Sequence, residues 1–265
     1  MKRLTLALLL LLSTNSFSIW NGKMASAGQF PATIYFNDCT GVKVGKRLFA
    51  TAAHCVFESK TKKNKFKIGS MLTIGFGINN QDKKDASFKT KVKAIHVHPT
   101  YLEMNDRRDR ALASDIAIFE VEALTEVISI AKFNFKKPSV YQEVMIGGYG
   151  LKGPDSWEFS NFSGSVLIEG TDLLFLGFSK HEIDNVSPNI IEFRGPGVSM
   201  LGVGPEPLLD RGDSGGAVYD GADKRNLTII GINSTSSSTR MNCRSTRIDD
   251  ESSNHVGEWI RSVLK

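Results

Sequence analysis

The sequence predicts an all-β fold of barrel or sandwich type, closed by one C-terminal helix. Three observations carry that expectation. Ten short runs of apolar or alternating residues recur along the chain, Gly, Asn, Asp and Pro collect between them, and only the stretch His255–Lys265 repeats with helical spacing.

The runs come in order. Ala32–Phe36, Arg47–Ala50 and Met71–Phe76 open the series, followed by Lys91–Val97, Ile116–Val121 and Val144–Ile146. Ser165–Ile168, Leu173–Phe178, Ile190–Phe193 and Leu227–Ile232 complete it. Each is rich in β-branched, aromatic or aliphatic residues and is about one strand long. In the final stretch Val256, Trp259, Ile260 and Val263 fall on one helical face. The segment from Lys132 to about residue 140 reads as a linker between two halves. No repeat of fixed period is evident.

Composition narrows the class. At 265 residues, 41% hydrophobic and 23% charged, the chain suits one domain or two small ones, and is neither disordered nor wholly membrane-embedded. The net charge of +5 falls to +3 without the first 18 residues, since Lys2 and Arg3 go with them. So small an excess argues for a nucleic-acid partner only if the basic residues cluster with stacking groups. Lys60, Lys62, Lys63, Lys65 and Lys67 do cluster, as do Asp106-Arg107-Arg108-Asp109-Arg110, but no aromatic residues interleave as base platforms. Both read as solvated loops, and no nucleic-acid partner is expected. Three Cys allow one bridge and one leftover thiol.

The amino terminus carries an address. Lys2-Arg3 precede Leu4–Leu12, in which only Thr5 is polar, and Ser16-Phe17-Ser18 supply small residues before a cut. Nine residues, eight of them apolar, fall short of the ~20 that a spanning helix needs. Residues 1–18 therefore read as a cleaved signal peptide. The expected location is secreted or periplasmic, with no stable membrane insertion and with disulfides able to persist.

Three separated motifs carry the chemistry: Thr51-Ala52-Ala53-His54-Cys55, Ser114-Asp115-Ile116-Ala117-Ile118-Phe119, and Gly212-Asp213-Ser214-Gly215-Gly216-Ala217-Val218. A serine hydroxyl is a poor nucleophile near neutral pH unless a base takes its proton, and neutral imidazole suits that task. The imidazole in turn needs a buried carboxylate to fix its tautomer and stabilise its charged form. Glycine on both sides of Ser214 permits a tight turn and close approach of a carbonyl to backbone amides.

In this order the motifs resemble the chymotrypsin/trypsin family of serine proteases (peptidase family S1), from Ile19 to the last helix. Weaker markers agree: Ile19-Trp20-Asn21-Gly22 with Gly28-Gln29-Phe30-Pro31, His98-Pro99-Thr100-Tyr101, Gly148-Tyr149-Gly150, Ser234, and Glu258-Trp259-Ile260. The resemblance implies two six-stranded antiparallel β-barrels, at about 19–131 and 141–254, with the site in the cleft between them and the helix at 255–265. It implies an endopeptidase with Ser214 as nucleophile, His54 as general base then acid, and Asp115 orienting His54. The amides of Gly212 and Ser214 would form the oxyanion hole. Asp106 and Asp109 are rival carboxylates, but neither leads directly into an apolar strand as Asp115 does.

The family also implies a Cys39–Cys55 disulfide, which at this separation contributes ~3 kcal/mol on the chain-entropy model. Cys243 is then left over, as a buried filler or a reactive thiol. By alignment the specificity pocket involves Leu208 at its floor with Ser234, Ser236 and Cys243. Leu208 replaces the carboxylate that selects Arg or Lys, so an apolar preference is expected. Thr235 stands where the family often has a Trp. A protease-like binding or regulatory protein is the alternative, and a serine esterase a weaker one. An ion pair between the Ile19 amine and Asp213 would hold the active form. The export cut after Ser18 frees that same amine. Protein or peptide substrates and protein inhibitors are the expected partners of a monomer. No cofactor is implied. No third ligand joins His96 and His98, so no metal is expected. One disulfide is few for an animal enzyme, which points to a bacterial source.

Overall fold

The computed structural model describes residues 23–25, 29–77, 87–104, 114–123, 126–150, 177–183, 185–194, 209, 212–221, 228–237 and 242–265. Residues 1–22, including the expected signal peptide and Ile19, lie outside them, as do Leu208, Asp106, Asp109, the run Ser165–Ile168 and most of Leu173–Phe178.

Six strands close a first barrel: β2 (Thr33–Phe36), β3 (Cys39–Lys43), β4 (Leu48–Thr51), β7 (Met71–Phe76), β8 (Ser87–Val97) and β9 (Ala117–Val121). Their order around the ring is β2-β3-β4-β9-β8-β7, antiparallel throughout. A second set follows: β11 (Glu143–Gly148), β12 (Gly177–Glu182), β14 (Ile190–Arg194), β15 (Ala217–Asp220), β16 (Thr228–Ser237) and β17 (Asn242–Arg247). They pair as β12-β11-β15-β16-β17-β14. Number each set one to six and both run 1-2-3-6-5-4. Only the pairing of second with third is absent from the second set among the described residues.

Three small elements add to the second set. β1 (Lys23–Met24) lies in the expected first half yet pairs with β12. β10 (Lys132–Phe133), in the expected linker, runs parallel to β16. β13 (Asn185–Val186) extends β14.

The expected runs miss Cys39–Lys43 and Asn242–Arg247, whose Gly, polar and charged residues break both alternation and apolar continuity, and Ala217–Asp220, whose apolar stretch is only three residues long. Two one-turn helices also appear, α1 (Ala53–Val56) and α2 (Pro99–Glu103), each too short to show a helical period. The expected terminal helix is α3 (Val256–Val263).

Burial explains the continuous apolar strands. On β9, Ala117, Phe119 and Val121 face the first barrel's interior with Phe36, Phe49 and Ile74, while Ile118 faces the other way. That second layer joins Val42, Ala50, Met145, Tyr219 and Ile232 to Val256 and Ile260 of α3. On β11, Val144 and Ile146 turn instead into the second interior with Ile191, Phe193 and Ile230. Strands wrapped on both faces have no polar side to display, so the two-residue period disappears.

Candidate active site

His54 stands on α1, which begins directly after β4. Its backbone N–H donates to Asp115 Oδ1 at 2.9 Å, and its Nδ1 lies 2.7 Å from Asp115 Oδ2. Asp115 occupies the turn before β9 and is wholly buried, whereas the His54 side chain is 18% exposed. Burial pushes the Asp115 carboxyl up, but the His54 charge and the hydrogen bonds from His54 and Ser234 outweigh it and hold the group at about 2. The carboxylate is ionised at neutral pH, so Nδ1 carries a proton and Nε2 is left as the basic atom.

Ser234 supplies the third bond, its hydroxyl donating to Asp115 Oδ2 at 2.6 Å. The backbone explains the reach. β16 and β17 pair Asn233 with Ser245 and then Thr235 with Arg244, so the register shifts at Ser234. A bulge of this kind frees one residue from the ladder and re-aims its side chain. The expectation had put Ser234 on the specificity pocket and missed its bond to the carboxylate. No pattern in the sequence marks a bulge there. Thr246 Oγ1 donates to the Asp115 carbonyl at 3.3 Å, a second contact that the sequence did not suggest.

Ser214 lies on a turn pinned from both barrels. Thr40 N–H donates to the Ser214 carbonyl at 2.9 Å, and Thr40 Oγ1 donates to the Gly212 carbonyl at 2.8 Å while accepting from Tyr149 N–H at 2.9 Å. Gly215 takes φ +85°, and a side chain there would collide with the Thr51 hydroxyl and the Thr40 carbonyl. Gly212 takes φ +100° with its Cα face against Gly150. Both positions require glycine. The amides of Gly215 and Gly216 donate to Asn233 and Asp213, whereas among the described residues those of Gly212 and Ser214 donate to none. Two unengaged amides flanking a serine can accept a developing oxyanion.

Ser214 Oγ donates to the Ser234 carbonyl at 3.3 Å, and among the described residues no hydrogen bond joins it to His54. Such bonds often tighten only when substrate binds.

Asp213 is fully buried and its Oδ1 accepts from Gly150 N–H at 2.8 Å. Its expected partner, Ile19, lies outside the described residues. Cys39 and Cys55 form the disulfide, with Cys55 Sγ 3.7 Å from the Ser214 carbonyl oxygen. Their sulfurs lie within 4.8 Å of a His54 ring nitrogen, but a bridged sulfur offers no thiolate to a metal.

Cys243 is opposite Ser236 in the ladder, and no part of it is exposed. Its Sγ accepts from Leu209 N–H at 3.2 Å, and burial pushes the thiol up to about 12. It is a neutral filler among Phe193, Leu209 and Val218, not a reactive group. Leu208 falls outside the described residues. The side chain of Ser236 does too, although its backbone lies in β16.

A further network backs Asp115. His98 Nδ1 lies 2.9 Å from Thr100 Oγ1, which accepts from Ser114 N–H at 3.1 Å. Asn254 Nδ2 donates to Ser114 Oγ at 3.0 Å, and the His98 ring meets Trp259 of α3 edge-on at 5.1 Å.

Solved structures similar to the chain share this architecture. A Glu endopeptidase in complex with MPD aligns at TM-score 0.62 and 14% identity, over 91% of this chain and 95% of its own. A mutant of human heparin binding protein aligns at 0.60 and 15%, over 93% and 96%. An inactivated protease paralogue of the scabies mite aligns at 0.62 and 17%, over 92% and 98%. At such identities the likeness establishes the fold. No curated protein sequence matches the chain. The family model described as Trypsin matches residues 19–249, nearly the whole length after the first 18 residues, and the chain therefore belongs to the trypsin family of chymotrypsin-like serine proteases.

Proposed function

We propose that the protein is an exported serine endopeptidase. The observation that carries the reading is the buried Asp115 carboxylate, bonded at once to His54 and Ser234 and held at about 2. It leaves His54 Nε2 free to take a proton. Ser214 Oγ attacks the scissile carbonyl and passes its proton to His54, and the amides of Gly212 and Ser214 receive the oxyanion. Collapse breaks the C–N bond as His54 protonates the leaving amine. Water then attacks the acyl-enzyme by the same route, returning Ser214. Leu208, standing by alignment where a carboxylate would select Arg or Lys, supports an apolar residue before the cut. Wild-type protein should take a fluorophosphonate label and cleave a peptide library with apolar residues leading at that position. Ser214→Ala and His54→Ala should each abolish cleavage. Near wild-type turnover in either variant, or a profile led by Arg and Lys, would overturn the assignment.

Activation is proposed to need no separate propeptide. The export cut after Ser18 would itself deliver the Ile19 amine to Asp213, which lies buried beside Ser214. Amino-terminal sequencing of fully active exported protein should begin at Ile19, and any other start ends this idea.

One observation favours a second reading, a protease-like protein that binds without turnover: Ser214 Oγ is engaged by Ser234 and not by His54. Folded, correctly processed protein that resists the fluorophosphonate would support it.

A further inference from the structure

Charge is unevenly spread along the chain. Residues 60–77 and 87–93 hold eight lysines and no Asp or Glu, in a protein whose net charge is only +5. All eight lysines are exposed.

The fold gathers part of this set onto one face. β5 (Phe57–Glu58) follows α1 and its His54 directly, and pairs with β6 (Lys63–Asn64). The chain then turns at Lys67–Ser70, where Gly69 N–H donates to the Val92 carbonyl at 2.7 Å and Val92 N–H to the Ser70 carbonyl at 3.0 Å. Those bonds bring Lys67 alongside β8. On β8, Lys89 and Lys91 alternate with buried Thr90 and Val92 and lie on the outer face about 6.7 Å apart, while Lys93 falls where the register against β9 shifts. Met71 lies opposite Lys91, and Thr73 opposite Lys89.

Two of the lysines are spoken for. Lys62 Nζ donates to the carbonyls of Leu102 and Met104, and Lys93 pairs with Glu120 at 2.7 Å. Lys67, Lys89 and Lys91 have no ion-pair partner among the described residues. Like charges side by side on a sheet repel, a cost that an anionic partner relieves. Among them Ile68 and Met71 stand 57% and 58% exposed, so the face is apolar as well as basic. The nearby rings Phe66 and Phe88 pack on Phe36 and Phe76, leaving no platform for bases. Both strands are paired on each side within a closed barrel, so a partner must be read by side chains and not by strand addition.

We propose that this face docks an acidic, partly apolar segment of a protein partner. Asp and Glu side chains of the segment meet Lys67, Lys89 and Lys91, and an apolar side chain covers Ile68 and Met71. The proposal rests on the protease reading only in naming that partner a substrate or an inhibitor.

The test is fluorescence anisotropy with a fluorescein-labelled twelve-residue peptide of Asp, Glu and Leu, on Ser214→Ala protein so that nothing is cleaved. Saturable binding should weaken at least tenfold in Lys67→Gln/Lys89→Gln/Lys91→Gln, and severalfold in Met71→Ser. Binding should fall as salt rises, and Lys132→Gln/Lys136→Gln should leave it unchanged. Thermal melts establish that each variant is folded, and Lys91→Gln alone replaces the triple variant if that one is not. No saturable binding, or equal loss in the control variant, overturns the proposal. So does tighter binding of sulfated dextran, single-stranded DNA or phosphatidylserine vesicles with no effect of Met71→Ser. Peptide binding by protein whose wild type resists fluorophosphonate would sink the protease reading and leave this one standing.

Discussion

Ser234 does two jobs from one unpaired position. Its hydroxyl is spent on Asp115 and its carbonyl on Ser214. A hydrogen bond to a charged group is worth about 1.5–3 kcal/mol. Ser234→Ala should therefore lower kcat/KM by about 10- to 100-fold while leaving the fold intact, at about 1.4 kcal/mol per tenfold. Its pH profile should change in a defined direction as well. Asp115 is depressed below the usual carboxylate range, so its contribution is present above that range and lost as pH falls through about 2. Removing one of the bonds that depress it brings that loss to higher pH. Urea midpoints between pH 5 and 2 that decline no earlier in the variant than in wild type would remove Ser234 from the network.

At the scale of elements, α2 and α3 meet through His98. Burial pushes its imidazole down to about 4, against a raising bond from the Asn254 backbone. The neutral ring can accept from Thr100 Oγ1, whose own oxygen accepts from Ser114, the residue before Asp115. The unfolded chain protonates His98 below about 6.5 and the folded chain only near 4, so stability is complete above the first value. It falls as pH drops between the two. Urea midpoints from pH 7 to 4 should decline less in His98→Gln than in wild type, and equal slopes would show that His98 carries none of the dependence. This network was hidden in the sequence, where His98-Pro99-Thr100-Tyr101 served only as a marker of resemblance. The strands that were legible, such as Thr33–Phe36 and Met71–Phe76, keep alternation or apolar continuity. Cys39–Lys43 was not legible, because Thr40, Gly41 and Lys43 are buried by partners far along the chain and not by their own pattern. Local motifs marked His54, Asp115 and Ser214 as candidates. Their joining through Ser234 and Thr246 depends on a bulge and a neighbouring strand that no local pattern announces.

Across the whole molecule, one threonine of the first barrel shapes the loop of the second. Thr40 uses its amide, hydroxyl and carbonyl on Ser214, Gly212, Tyr149 and Thr51. Thr40→Val keeps the volume but deletes the hydroxyl, leaving the Gly212 carbonyl and Tyr149 amide unpaired at a cost of about 1–3 kcal/mol each. The further consequence concerns time. A loop templated by another barrel cannot settle before that barrel closes, because its contacts with Thr40 span more than a hundred residues of chain. During refolding, aromatic burial around Phe36, Phe49 and Phe119 should precede the return of fluorophosphonate reactivity at Ser214. Thr40→Val should widen that lag, and reactivity returning together with first-barrel burial would show that the loop assembles without its template.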